Sequence, residues 1–201
     1  MKCYHLSCRT VDIHPLYPQY LATSSSCGYT SIWDLRKVKK DSKNSSDSEI
    51  KAIANIDAAL CHLGDDKRRL FSAFFSPVTG NGLLTTSSDD YIRLYDTSKL
   101  AQAASSSTYR VETSIRHDNR TGRWITPFRA VWHPQRDDAF VVGSMGQPRQ
   151  VEVYGRHGRL LAAIGSNGPL PINTICSVNA FHPHRLVLAS ADSAGRVHVF
   201  L

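Results

Sequence analysis

The sequence predicts an all-β fold of repeated antiparallel sheet units, and three observations predict it. A residue-proline turn recurs four times, as His14-Pro15, Ser76-Pro77, His133-Pro134 and His182-Pro183. Each turn is followed at nearly constant distance by a strand-ending aromatic, Trp33, Tyr95, Tyr154 or Phe200, with spacings of 18, 18, 20 and 17 residues. Between the anchors lie strand bodies that are apolar at first and then small and hydroxylic: Leu21–Ser25, Leu83–Ser87, Phe140–Ser144 and Leu188–Asp192. Short β-prone runs at regular intervals, punctuated by turn residues, are the signature of a repeated sheet unit.

The first copy closes on Ile32-Trp33-Asp34, and the Trp-Asp dipeptide marks the four-stranded blades of WD40 β-propellers. The expected strands of blade 1 (9–56) are 9–13, 20–24, 30–34 and 49–56. Those of blade 2 (70–115) are 70–75, 82–86, 91–96 and 109–115, and those of blade 3 (128–164) are 128–132, 139–144, 151–154 and 160–164. Blade 4 (176–201) has only three, at 176–181, 186–190 and 196–200, and lacks its outer strand. Successive prolines are 62, 57 and 49 residues apart, longer than the roughly 40–45 of a bare repeat. The surplus falls in polar or small-residue stretches expected to be flexible insertions, 37–48 and 101–107, which bury too little to order themselves. Four blades do not close a ring, so the chain reads as the C-terminal part of a longer propeller.

With 41% hydrophobic residues the chain can bury a sizeable core, and no apolar run approaches the ~20 residues that span a bilayer. No secretory signal is evident and the five cysteines, Cys3, Cys8, Cys27, Cys61 and Cys176, are scattered, which favours buried thiols in a reducing compartment over zinc ligands. No metal or cofactor is expected. The net charge of +7 points to an anionic partner, and its distribution sharpens the point. Residues 109–160 carry nine arginines against five acids and no lysine. Arginine's planar fork suits phosphate and base recognition, whereas the mixed Lys37–Lys51 cluster reads as solvation.

The segments Thr121–Pro134, Val142–Arg149, Ser177–Pro183 and Gly195–Phe200 resemble the WD repeat-containing protein 76 family and its fungal DNA damage-binding WD repeat relatives. More distantly they are similar to the small WD40 subunit of the UV-damaged-DNA-binding complex. The resemblance implies a seven-bladed ring, of which these would be the last four blades. It also implies a nuclear, and in part cytoplasmic, protein of the DNA damage response with two functional features. Trp33-Asp34-Leu35-Arg36 resembles the box through which many propellers dock onto the adaptor of a cullin-RING ubiquitin ligase as substrate receptors, assigning Trp33, Asp34 and Arg36 to that contact. The alternative is that Trp33 and Asp34 are ordinary blade residues and Arg36 a solvated charge. The second feature, Arg116–Trp124, matches a lesion-probing hairpin of the UV-damage subunit, although Trp124 departs from that subunit's reading residues. Its Arg116, His117, Arg120, Arg123 and Trp124, extended by Arg129 and Arg149, are the candidate DNA contacts: cations for phosphate and an aromatic to stack on or wedge between bases. The bland reading packs Trp124 on the blade and leaves the arginines as solubilising charge.

No Gly-rich phosphate loop, metal-spaced His/Cys pair or nucleophile elbow is present, so the sequence argues against an enzyme and names no small-molecule substrate. Lys67-Arg68-Arg69 reads as solvated surface, and the turn histidines as structural. A protein-interaction scaffold or ligase receptor without direct DNA binding is the alternative function.

Overall fold

The computed structural model describes residues 7–37, 52–56, 58, 69–100, 109–166 and 171–201. Among the described residues fifteen strands form four antiparallel sheets in chain order. The first contains β1 (Cys8–Ile13), β2 (Tyr20–Ser25), β3 (Thr30–Asp34) and β4 (Ala54–Ile56), with a 3-10 turn at Leu35–Lys37. The second contains β5 (Leu70–Phe75), β6 (Gly82–Ser87), β7 (Tyr91–Asp96) and β8 (Val111–Arg116). The third contains β9 (Val131–Trp132), β10 (Ala139–Gly143), β11 (Val151–Gly155) and β12 (Leu160–Ile164), and the fourth β13 (Cys176–Phe181), β14 (Leu188–Asp192) and β15 (Val197–Phe200). These are four propeller blades, each a meander. Most of the two expected insertions, together with 49–51, Lys67 and Arg68, lies outside the described residues.

Three apolar cores lie between the blades. Tyr20, Ala22 and Ile32 of blade 1 pack with Ala73, Phe75, Leu83 and Tyr95 of blade 2. Leu84, Ile92 and Leu94 on the other face of blade 2 meet Phe128, Trp132, Phe140 and Tyr154. Val141 and Val151 of blade 3 meet Cys176 and Leu188, with Phe181 and Phe200 against them. Each fully buried large apolar side chain contributes about 1.5–3 kcal/mol, whereas exposed ion pairs add about 0–1 kcal/mol, so these interblade layers dominate cohesion.

Polar groups set the order of the blades. Thr10 Oγ1 and Asp12 Oδ2 accept the backbone N–H groups of Ala73 and Phe75 at 3.1 and 2.7 Å. Thr86 Oγ1 accepts that of Ala130 at 3.1 Å, and Trp132 Nε1 donates to the Phe74 carbonyl at 3.1 Å. These bonds explain why the strand expected over 128–132 shortens to Val131–Trp132. Pro127 lacks an N–H, Phe128 is buried in the interblade core, and the N–H of Ala130 is committed to blade 2 rather than to a ladder.

The turn histidines act on their own turns. His14 Nδ1 accepts from the N–H groups of Leu16 and Tyr17, and His182 Nδ1 from those of His184 and Arg185. His133 Nδ1 accepts from Gln135 N–H at 3.2 Å.

Candidate nucleic-acid interface

Strand direction sorts the candidate residues onto two rims. In an antiparallel meander, the turns from second to third strand and the connections between blades lie at one end, and the remaining turns at the other. The β8–β9 connection, with Arg116 at its root, and the β10–β11 turn bearing Arg149 share the first rim. Arg36 follows β3 and lies on the opposite rim.

The β8–β9 connection presents its charge outward. Trp124 is 88% exposed, and the Arg123 guanidinium lies over its ring at 5.1 Å from the centroid. The structure therefore departs from the bland expectation that Trp124 packs on the blade. Arg116, Arg123 and Arg129 are exposed and form no ion pair among the described residues. Arg120 pairs with Asp90 at 2.8 Å, its side chain still 79% exposed. Asp90 stands in the β6–β7 turn with φ of +63°, and its Oδ1 also accepts the Asn119 N–H at 3.1 Å. That acid tethers the connection to the preceding turn.

Two of the sequence candidates are placed differently. The His117 ring is buried, 6% exposed, edge-on to Phe128. It holds the connection from inside rather than facing a phosphate, because the chain turns inward after Arg116 to seat His117 and Asn119 in the groove between blades 2 and 3. Arg149 is partly buried, and its Nη1 donates to the Met145 carbonyl of its own turn. The residues that organise this rim, Asp90, Asn119 and Glu152, lay outside the candidate list. Asp90 is 30 residues from Arg120 in sequence, and linear charge counting carries no sign of their pairing.

On the opposite rim, Asp34 is buried and held by Arg36 in a forked pair, Nε to Oδ1 at 2.9 Å and Nη2 to Oδ2 at 2.8 Å, with the Arg36 N–H on Oδ1 at 3.0 Å. The Arg36 guanidinium beside Asp34 holds its carboxyl below the usual carboxylate range. Arg36 Nη2 also reaches Tyr20 Oη at 3.2 Å, while its side chain remains 62% exposed. The Nη1 N–H groups have no partner among the described residues, so part of the five-donor fork faces outward. Trp33 is half-buried, with Nε1 donating to Thr23 Oγ1 at 2.9 Å on the face of blade 1 turned away from blade 2.

Among the described residues no group of three or more His, Cys, Asp or Glu side chains is placed to hold a metal. Cys176 is buried, and desolvation pushes its thiol up to about 11.

No protein-family model matches the chain. WD repeat-containing protein 76 of Xenopus laevis is 41% identical over 96% of the chain, and that of Mus musculus 37% identical over 96%. The DNA damage-binding protein CMR1 of Phaeosphaeria nodorum is 29% identical over 94%. The chain spans 30%, 27% and 35% of these relatives' lengths respectively. Among solved structures, the Cps50 (Swd1) β-propeller domain of Myceliophteria thermophila superposes with a TM-score of 0.68 at 15% identity, covering 96% of this chain and 50% of that one. Sqt1 from Chaetomium thermophilum gives 0.64 at 16% identity, covering 98% and 44%. These two likenesses concern the fold alone. Sequence and fold together make this chain a four-bladed WD40 propeller segment related to part of WD repeat-containing protein 76, with the fungal DNA damage-binding proteins as more distant relatives.

Proposed function

We propose that this chain is a non-catalytic, nuclear DNA-binding module of the damage response, gripping duplex DNA through the β8–β9 connection. The observation that carries the reading is the exposed Arg123–Trp124 stack, flanked by Arg116, Arg120 and Arg129 on one rim. An indole left in water contributes little to folding, whereas stacking on a base is worth about 1–3 kcal/mol. The surrounding guanidiniums supply the sequence-independent phosphate attraction on which such a contact depends. The name of the fungal relatives, DNA damage-binding proteins, supports the same assignment. In the complete protein further blades would close a seven-membered ring and widen this rim.

A second role is compatible because it uses the other rim. The outward half of the Arg36 fork, beside exposed Leu35, suits docking onto the adaptor of a cullin-RING ubiquitin ligase. Trp33 and Asp34 would then support Arg36 rather than touch the adaptor.

The deciding experiment titrates the full-length protein against damaged and undamaged duplex across a salt series, with Trp124→Ala alongside. Tighter binding of the damaged duplex, lost in the variant, is expected. Equal affinity for the two duplexes removes damage recognition, and no salt-sensitive binding to either removes DNA.

A further inference from the structure

The root of the basic connection crosses from blade 2 to blade 3 through a buried polar cluster. The Asn119 side-chain amide donates to the carbonyls of Ser87 and Tyr91 at 2.8 and 3.2 Å, which fixes its orientation. Asn119 Oδ1 must then be the acceptor in its 2.7 Å bond to His117 Nδ1, so the Nδ1 proton is in place. The other ring nitrogen, Nε2, is buried without a hydrogen-bond partner and faces the Glu152 carboxylate, with Oε2 at 3.7 Å.

Glu152 projects from β11, takes Tyr154 Oη–H at 2.7 Å and Gln150 Nε2–H at 3.2 Å, and is only 12% exposed at its side chain. Burial would raise its carboxyl, but the bonds from Tyr154, Ser144 and Gln150 hold it below the usual range, so it is an anion. Among the described residues no arginine or lysine lies within ion-pair distance of it. A neutral His117 would turn a bare lone pair toward that anion in a low-dielectric groove and leave its own buried Nε2 without a partner.

We infer that His117 carries a proton on Nε2 as well as Nδ1 and serves as the counter-cation of Glu152, an interblade clasp that fastens the basic connection and links its grip on DNA to protons. The last link rests on the DNA-binding reading; the clasp itself does not. The charged neighbours are few. Glu152 faces the ring from β11, with Tyr154 bonded to its carboxylate. In the β6–β7 turn Asp90 accepts the His117 N–H at its backbone carbonyl but turns its carboxylate to Arg120 and Asn119. Asp89 is paired with Arg93 in the same blade, Arg149 reaches its own turn, and Phe128 is uncharged. Asp118 and Arg116, on either side of His117, are exposed.

The sign follows directly. A proton that completes an ion pair only in the fastened state favours that state by mass action, so fastening strengthens as pH falls and weakens as pH rises. The test has two arms on the full-length protein. Nitrogen-15 NMR of the His117 ring at pH 7 should show both nitrogens protonated, and Glu152→Gln, nearly isosteric, should return the ring to the neutral Nδ1–H form. A neutral ring in the wild type overturns the inference. In the second arm, duplex affinity is measured from pH 8 to pH 6 in wild type, His117→Gln and Glu152→Gln. One linked proton strengthens wild-type binding by at most about tenfold per pH unit, and both variants should lose that increment. A protonated ring with a pH slope shared by all three proteins overturns the link to DNA, and a protonated ring with no DNA binding at any pH sinks the DNA reading while the clasp stands.

Discussion

The double variant Arg120→Ala, Arg123→Ala should about halve the salt dependence of duplex binding. Four guanidiniums of the β8–β9 connection and its root are exposed: among the described residues Arg116, Arg123 and Arg129 form no ion pair, and Arg120 is paired to Asp90. The Arg120 pair does not withhold its charge, since an exposed bridge is worth about 0–1 kcal/mol and phosphate can replace the carboxylate. At about 0.9 counterion per phosphate contact, four contacts give a slope of log K against log salt near about −3.6, and two give about −1.8. Between 50 and 200 mM salt the wild type then weakens by about 150-fold and the variant by about 12-fold. Fluorescence anisotropy with an undamaged duplex measures both slopes. Arg149→Ala is the control: its guanidinium already serves the Met145 carbonyl, so its slope should match the wild type. An unchanged slope in the double variant, or a change in Arg149→Ala of the same size, would refute the assignment of this connection as the phosphate-contacting element.

Three further outcomes are expected. Arg36→Ala should abolish salt-tolerant capture of purified ligase adaptor in a pull-down while leaving duplex affinity intact, because Arg36 is on the opposite rim; loss of both would mean a folding defect, checked by circular dichroism. Gly143→Ala should cost about 3 kcal/mol in urea unfolding, the upper end for overpacking, because its Cβ would meet the Cys176 carbonyl oxygen at 1.7 Å across the blade 3–4 interface; an unchanged midpoint would show that this interface is loose. Asp192 should make blade 4 acid-labile. Burial would raise its carboxyl, but bonds from His198 and from the Arg196 backbone and side chain hold it well below the usual range. A depressed carboxylate contributes stability that is full above its unfolded value, about 3.9, and lost as pH falls toward the folded one. Asp192→Asn should therefore flatten the stability curve below about pH 4, read by urea unfolding against pH.

Architecture was legible because it rests on local rules: proline turns, small residues at close approaches and aromatics at a fixed offset all act within one repeat. Gly143 shows the link, being small because a Cβ there would overlap the Cys176 carbonyl of the next blade. The site was half legible. Exposure of Arg123 and Trp124 agrees with a glycine-containing, charge-rich connection that has no apolar period. The inward turn of His117 was not readable, since its partner Glu152 lies 35 residues downstream on another blade. Likewise the balance of nine arginines against five acids over 109–160 left out Asp90, which pairs with Arg120 from outside that window.

The strand-ending aromatics bear on the meaning of Trp33. Tyr95 is buried against blade 1, Tyr154 against blade 2 and Phe200 against blade 3, so the position faces the preceding blade wherever one exists. Trp33 occupies the same position on a blade with none before it among the described residues, on a face it shares with exposed Val11 and Ile13. Its indole therefore fits packing against a further blade better than adaptor contact, and within the Trp-Asp-Leu-Arg box only the Arg36 side of the rim is left for a partner. The repeat thus separates scaffold from candidate contact residues: whatever keeps its period is explained by packing, and the exposed arginines and indole of the β8–β9 connection are not.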